Sequence, residues 1–240
     1  MTTYGLVLTA AGSSRRFGGD TSKVLLLLGG VPVVARAAAA FRAALGTLPT
    51  VLTARAEDLE ALRALARRDP ALAGAVVVEG GATRQESVAR GVGALPPGLD
   101  VVLVHDAARP LVTPDLVRRV ADAAARDGAA APALPVRDSV HRADASGRLV
   151  ETLDRDALRT VQTPQAARAD VLRRALDLAA QRGTVATDEV ALLVAAGVPV
   201  TAVAGDPDNV KLTVPADLTF ARNVLEARRD LDAPDDVLPR

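Results

Sequence analysis

The chain has no cysteine and no tryptophan, and only one methionine, one tyrosine and three phenylalanines in 240 residues. Without cysteine there is no disulfide framework and no thiolate chemistry. The two histidines, His105 and His141, lie far apart in sequence, so no ligand-spaced zinc cluster exists. An excess of one charge is missing too: 29 basic residues balance 29 acidic ones. That balance argues against a polybasic surface for nucleic acid or membrane. Gly, Pro or Arg breaks every apolar stretch well short of a membrane span. The N-terminus lacks a basic region followed by a long apolar one, so no signal peptide is read and a cytoplasmic protein is expected. Among the basic residues lysine is scarce: Lys23 and Lys211 stand alone among arginines. Either chance left them, or each sits where a compact, rotatable point charge is wanted.

What is present is an apolar supply large enough for a full core, 49% of residues. Short β-type runs alternate with Ala/Leu/Arg-rich helical patterns: "YGLVLTA", "PVVARAAAAFRAAL", "TVLTA", "AEDLEALRALARR", "AVVVEGG", "TRQESVARGVGAL", "VVLVHDA" and "TPDLVRRVADAAARDG". This rhythm predicts an α/β fold, a mostly parallel twisted sheet with helices on both faces. It breaks at 136–163, where two strand-like pieces flank the turn "DASG". That polar stretch is too long for an ordinary connection and reads as a β-arm at about 136–160 projecting from the sheet, or as a poorly ordered loop. The rhythm resumes with "ADVLRRALDLAAQRG", "TDEVALLVAAG", "VPVTAVAG" and "NVKLTVPADLTFARNVLEARR". The tail "DLDAPDDVLPR" reads as frayed. No repeat or interdomain linker is seen, so residues 1–240 read as one domain plus an arm.

The loop after the first strand, "AAGSSRRFGGDTSK", combines three glycines with Arg15, Arg16 and Lys23. A turn at the carboxyl edge of an open α/β sheet is where ligands bind. Glycines there admit backbone N–H groups to an anion, and the cations suit several phosphates. The pattern is neither a Walker loop nor a dinucleotide fingerprint. "EGGATRQES" offers paired glycines for close backbone approach and Ser87, able to bond or cap near the same ligand. In "VHDAARP", Asp106 suits a hard cation such as Mg²⁺ or a ribose hydroxyl. "DNVKLT" sets Asp208 beside Lys211. Each stretch alone could be a turn, a cap or a solvated charge. Together they gain weight, because a sheet gathers strand ends.

In this order "AAGSSRRFGGDTSK", "GGATRQESV", "VLVHDAARP", "PVRDSV", "TPQ", "TDEV" and "DNVKLT" resemble the 2-C-methyl-D-erythritol 4-phosphate cytidylyltransferases of the non-mevalonate isoprenoid pathway, over roughly residues 4–225. The resemblance implies a Rossmann-like nucleotidyltransferase fold. It implies a reaction of CTP with methylerythritol phosphate that gives the CDP-alcohol and pyrophosphate, with Mg²⁺ or another divalent cation. It also implies a homodimer through the β-arm. Residue by residue, Arg16 and Lys23 match the catalytic basic pair, and Ala10, Ala11, Gly12 and Lys23 the nucleotide-holding loop. Gly81, Arg84 and Ser87 match the cytidine loop; Asp106 and Ala107 match nucleotide contacts. Asp106, with Asp208 as a second carboxylate, is the metal candidate. Arg109, Ser139, Arg155, Thr163, Thr187 and Lys211 match contacts to the second substrate, Ser139 and Arg155 reaching from the arm of the neighbouring subunit.

The chain departs from the family pattern at Ser22-Lys23-Val24, where many relatives read Pro-Lys-Gln, at Ala82-Thr83, which replace a common acidic pair, and at Ser139, where threonine is frequent. The scarcity of aromatics implies that the base is read by backbone and small polar groups rather than by stacking. Two rivals stand beside this reading. One is a cytidylyltransferase for another polyol phosphate such as ribitol 5-phosphate, decided by assaying both alcohols. The other is a catalytically silent nucleotide-binding module, which would bind CTP without turnover.

Overall fold

The computed structural model describes residues 1–12 and 22–232. In chain order its elements are β1 (Tyr4–Thr9), β2 (Leu27–Leu28), β3 (Val31–Pro32), α1 (Val33–Leu45), β4 (Thr50–Ala54), α2 (Leu59–Arg68), β5 (Val76–Glu79), α3 (Arg84–Gly93) and β6 (Val101–Asp106). Then come α4 (Pro114–Asp127), β7 (Ala129–Pro135), β8 (Val140–Ala143), β9 (Leu149–Leu153), β10 (Arg159–Val161), β11 (Gln165–Arg168), α5 (Ala169–Arg182), α6 (Glu189–Ala195), β12 (Thr201–Ala204) and α7 (Pro215–Asp232). β2 and β3 form a small separate hairpin. Gly29 and Gly30 both take positive φ (57° and 78°) between them, a two-residue turn that only glycine enters without strain.

The main sheet runs β5-β4-β1-β6-β11-β7-β12, with β10 beside β11 on the same edge of β7. Ala133 pairs with Val161 of β10 and with Ala204 of β12, which puts those strands on opposite sides of β7. β5, β4, β1 and β6 are mutually parallel, as is the β7–β12 pair. β10 and β11 run against their neighbours. The α/β rhythm therefore delivers the expected mostly parallel sheet, while antiparallel β10 falls inside the 136–163 break in that rhythm and β11 directly after it.

Strand alternation sorts the core into two layers. Leu6, Leu8, Leu52 and Leu103 face one side, where they meet Phe41 of α1, Leu62 and Leu65 of α2, and Leu116 and Val120 of α4. Val7, Val51, Val102 and Val104 face the other, against Val88 and Val92 of α3, Leu172 and Leu176 of α5, and Leu192 of α6. Each such aliphatic side chain taken fully from water contributes about 1.5–3 kcal/mol. α3 sits close to the sheet because Gly91 has no side chain; a Cβ there would lie 2.5 Å from Val7 Cγ1.

Within 136–160, β8 and β9 pair, among the described residues, only with each other. Their turn is held by the Asp144 carboxylate, which accepts from the Ser146 and Arg148 backbone N–H groups at 2.8 and 3.0 Å. The hairpin is almost wholly exposed, Leu149 at 69% and Val150 at 58%. Arg159 and Thr160 lie in the main sheet instead, opposite Pro135 and Leu134, so the projecting part is shorter than the sequence implied. α7 continues to Asp232 because Leu218, Ala221, Val224 and Leu225 pack on Leu28, Val33, Leu111 and Leu212. Residues 233–240 lie outside the described ones.

Candidate active site

The chain leaves β1 toward β4 on one side and returns to β6 on the other. Their carboxyl ends therefore flank the switch point at which open α/β sheets bind ligands. Thr9 and Asp106 are register partners there, and Thr9 Oγ1 donates to Asp106 Oδ1 at 3.3 Å. Beyond β1, the Ala10 N–H still bonds Thr53 O (2.8 Å); Ala10 is buried, Ala11 half-buried and Gly12 exposed. Arg15 and Arg16 lie outside the described residues. A cleft is lined by Thr9, Ala10, Gly12, Lys23, Val24, Asp106, Ala108 and Lys211. Both lysines of this arginine-rich chain thus share one cleft. A larger depression of about 550 Å³ lies by Val101, at the opposite end of β6, and its lining sets Asp100 and Asp170 against Arg168 rather than gathering cations.

Asp106 closes β6 and is nearly buried, 6% exposed. Its Oδ2 meets Lys211 Nζ at 2.9 Å and Arg109 Nε at 3.5 Å; Oδ1 meets Arg84 Nε at 3.5 Å. Burial alone would raise its pKa. The charges of Lys211, then Arg84, then Arg109 outweigh it and hold the carboxyl well below the usual carboxylate range. A buried anion balanced by three cations leaves a net positive cleft, which suits a polyanion. Arg109 is fixed further by Nη1 donating to Asn209 O at 2.7 Å. The Ala107 N–H donates to Thr9 O at 3.1 Å, joining the loop to β1.

Beneath this carboxylate lies a polar network that pattern reading missed. His105 Nε2–H donates to Arg109 O (3.1 Å), so Nδ1 accepts from the Thr163 hydroxyl (3.0 Å), whose oxygen accepts the Asp106 N–H (3.1 Å). Phe41 packs edge-on against the imidazole, with ring centroids 5.0 Å apart. Asn209 Nδ2 donates to Thr163 O at 2.9 Å. The available signal was strand alternation, which turns His105 away from Val104 and into the opposite layer.

Burial lowers the His105 pKa from 6.5 to about 4. Between those values the unfolded chain binds the extra proton, so stability falls with falling pH. The contribution of neutral His105 is complete above about pH 6.5 and is lost toward pH 4, a span of about 3 kcal/mol. Urea midpoints of the metal-free protein are therefore expected to drop steeply from pH 7 to 4.5. His105→Gln, weaker at pH 7, loses that part of the slope; equal slopes in both proteins would remove His105 as its source.

The second loop follows β5. Its paired glycines were expected to allow close backbone approach to a ligand. The Gly80 N–H bonds Ala54 O (2.8 Å) and the Gly81 N–H bonds Ser87 Oγ (3.0 Å). The lack of side chains makes room: a Cβ on Gly80 would lie 2.5 Å from Ala11 Cβ, so this loop rests against the first. Ser87 ties the turn by donating to Thr83 O at 2.9 Å. Thr83, one of the departures from the family pattern, caps α3 by accepting the Glu86 N–H at 3.1 Å. Arg84 is the first residue of α3 and holds Glu189 with two nitrogens, at 2.7 and 2.9 Å. Although burial opposes it, Glu189 and then Asp106 raise the Arg84 pKa, so it stays charged.

The remaining expected residues stand on several different segments. Thr163 is buried and belongs to the His105 network. Thr187 is exposed, next to Asp188, which caps α6 by accepting the Ala191 N–H (2.8 Å). Ser139 is exposed at the root of the hairpin, and Arg155 braces that root, donating from Nη1 to Arg137 O at 2.9 Å. The Asp208 carboxylate lies 3.5 Å from Nη2 of Arg228 on α7. The described residues hold no cluster of three or more His, Cys, Asp or Glu side chains suited to a metal. Asp106 and Asp208 stay the two candidate metal carboxylates, and of the two Asp106 is the one that lines the cleft. One carboxylate still fits Mg²⁺ where substrate phosphates and water complete the shell.

A family model described as 2-C-methyl-D-erythritol 4-phosphate cytidylyltransferase matches residues 5–227. The chain is 41% identical over 225 residues to the 2-C-methyl-D-erythritol 4-phosphate cytidylyltransferase of Pelotomaculum thermopropionicum, covering 93% of this chain and 94% of that one. It is 46% identical over 226 residues to a bifunctional enzyme IspD/IspF of Anaeromyxobacter sp., of which it spans 57%. It is similar to the crystal structure of the cytidylyltransferase from Thermus thermophilus, with a TM-score of 0.76 at 37% identity over 94% of this chain and 100% of that one. A structure from Anaerococcus prevotii, TM-score 0.81 at 24% identity over 94% and 99%, shares the fold. A nucleotidyltransferase sheet, a cationic cleft at its switch point and a family match over nearly the whole length agree: the chain belongs to the 2-C-methyl-D-erythritol 4-phosphate cytidylyltransferase family.

Proposed function

We propose that this chain transfers CMP from CTP to 2-C-methyl-D-erythritol 4-phosphate, releasing pyrophosphate and the CDP-alcohol, in the cytoplasm. The observation that carries the reading is the cleft that joins Lys23, Lys211 and Asp106 at the ends of β1 and β6. A phosphate monoester oxygen attacks the α-phosphorus of CTP; a new P–O bond forms while the bond to the β-phosphate oxygen breaks, and pyrophosphate leaves. The monoester is already mostly ionised at neutral pH, its second pKa being about 6, so no general base is required. Both reactants are anionic. The task of the protein is to screen their repulsion and to stabilise charge growing on the α-oxygens and the leaving group.

Lys23 and Arg16 fill that role from the first loop. Ala10, Ala11 and Gly12 approach the triphosphate with backbone. Gly81, Arg84 and Ser87 seat the cytidine, with Ala107 beside them. Lys211, Arg109, Thr163 and Thr187 receive the alcohol phosphate. Asp106 would hold Mg²⁺, which when bound neutralises part of the triphosphate charge. Its lowered pKa supports this, because it stays ionised at any working pH. For the second substrate, methylerythritol phosphate is expected to outrun ribitol 5-phosphate in parallel assays with CTP; the reverse order would assign the chain to the other alcohol.

The exposed hairpin supports a shared site in a homodimer. It is too polar for core, and Ser139 and Arg155 stand at its root. Arg155→Ala and Lys23→Ala are each expected to be nearly inactive alone. Mixed under conditions in which subunits exchange, they regain activity, because one site per hybrid dimer receives both native residues. Demonstrated exchange without recovery would mean that the arm serves its own subunit.

A further inference from the structure

Glu189 has no part in the roles given above, yet it is 3% exposed and both its oxygens are taken by Arg84. The third nitrogen of that guanidinium, Nε, faces Asp106 Oδ1 at 3.5 Å. The next residue, Gln85, grips the same stretch of chain: Nε2 donates to Thr184 O at 3.1 Å and Oε1 accepts the Ala186 N–H at 2.8 Å. Gln165 of β11 holds it from the other side, accepting the Val190 N–H at 2.9 Å and donating to Asp188 Oδ2 at 3.2 Å. Residues 184–190 are thereby fixed between the first turn of α3 and β11.

A guanidinium gripped at two nitrogens has its plane and direction set. Released from Glu189, Arg84 would keep the attraction of Asp106 and, more weakly, of Asp188, but would lose the two-nitrogen grip that fixes its direction. We propose that Glu189 is a positioning residue for nucleotide binding: it holds Arg84, and with it the first turn of α3, in the geometry that receives a ribonucleoside triphosphate. The assignment rests on the cytidylyltransferase reading. Glu189 touches no substrate and acts through Arg84.

A pair that served only folding would alter the melting temperature and leave the nucleotide constants in place. Glu189→Gln is expected to raise the KM for CTP, and the calorimetric Kd for CTP, by about tenfold, the scale typical of a lost positioning partner, with kcat within about twofold. Arg84→Gln raises both constants itself, and Arg84→Gln/Glu189→Gln is no worse than Arg84→Gln alone. If Glu189→Gln fails to fold, Glu189→Asp keeps the charge, draws the carboxylate back by one methylene, and is expected to shift KM in the same direction by about threefold. A folded Glu189 variant with wild-type KM and Kd, a defect confined to kcat, or losses that multiply in the double variant would each overturn the assignment. Wild-type protein that neither binds nor consumes CTP would instead overturn the reading beneath it.

Discussion

Lys23→Ala is expected to lower turnover by at least two orders of magnitude while the protein stays folded. Lys23 is half-buried and lines the cleft with Asp106 and Lys211, so its charge acts where bulk water screens poorly. Removing a preorganised charge-stabilising donor costs about 3–4 kcal/mol of transition-state stabilisation, and the loss falls in kcat because it is felt most as charge develops. Arg16→Ala is expected to match it. Steady-state pyrophosphate release with circular dichroism as a folding control makes the comparison. Near-normal turnover in both folded variants would remove the two residues from the chemistry.

Asp106 carries the second large effect. Exhaustive EDTA treatment is expected to abolish turnover and Mg²⁺ to restore it. Asp106→Asn is expected to need far more Mg²⁺ for half-maximal rate. The amide also gives up the ionic contacts to Lys211, Arg109 and Arg84, leaving three cations facing one another. Loss of a buried partner of this kind typically destabilises by about 3–5 kcal/mol. The comparison is therefore made at a temperature at which the variant is folded. Activity that survives EDTA, or an Asp106→Asn protein with wild-type metal dependence, contradicts the role.

The parts of the site that could be read from sequence are those in which a short apolar run ends in Gly, Asp, Arg or Lys. β1, β5 and β6 end in this way, and parallel pairing brings Thr9, Gly80 and Asp106 to one edge. The partners reaching them from afar were not legible. Arg84 and Glu189 are 105 residues apart and Asp106 and Thr163 are 57 apart, so no local period links them. The surroundings of Asp208 were hidden for a related reason: its nearness to Lys211 in sequence was visible, but the contact of its carboxylate with Arg228, twenty residues later on α7, was not. β11 was hidden by composition. Gln165-Ala166-Ala167-Arg168 has no β-branched or aromatic residue and becomes a strand only because β6 and β7 offer their edges.

The most direct test of the account is pyrophosphate release by the intact chain with CTP, Mg²⁺ and 2-C-methyl-D-erythritol 4-phosphate, with the nucleotide product identified by mass. The account predicts one pyrophosphate and one CDP-alcohol per CTP consumed, with no release when the alcohol is omitted. CTP that binds but is not consumed would contradict it and leave a silent nucleotide-binding module. Consumption at an equal or higher kcat/KM with ribitol 5-phosphate would contradict the choice of substrate.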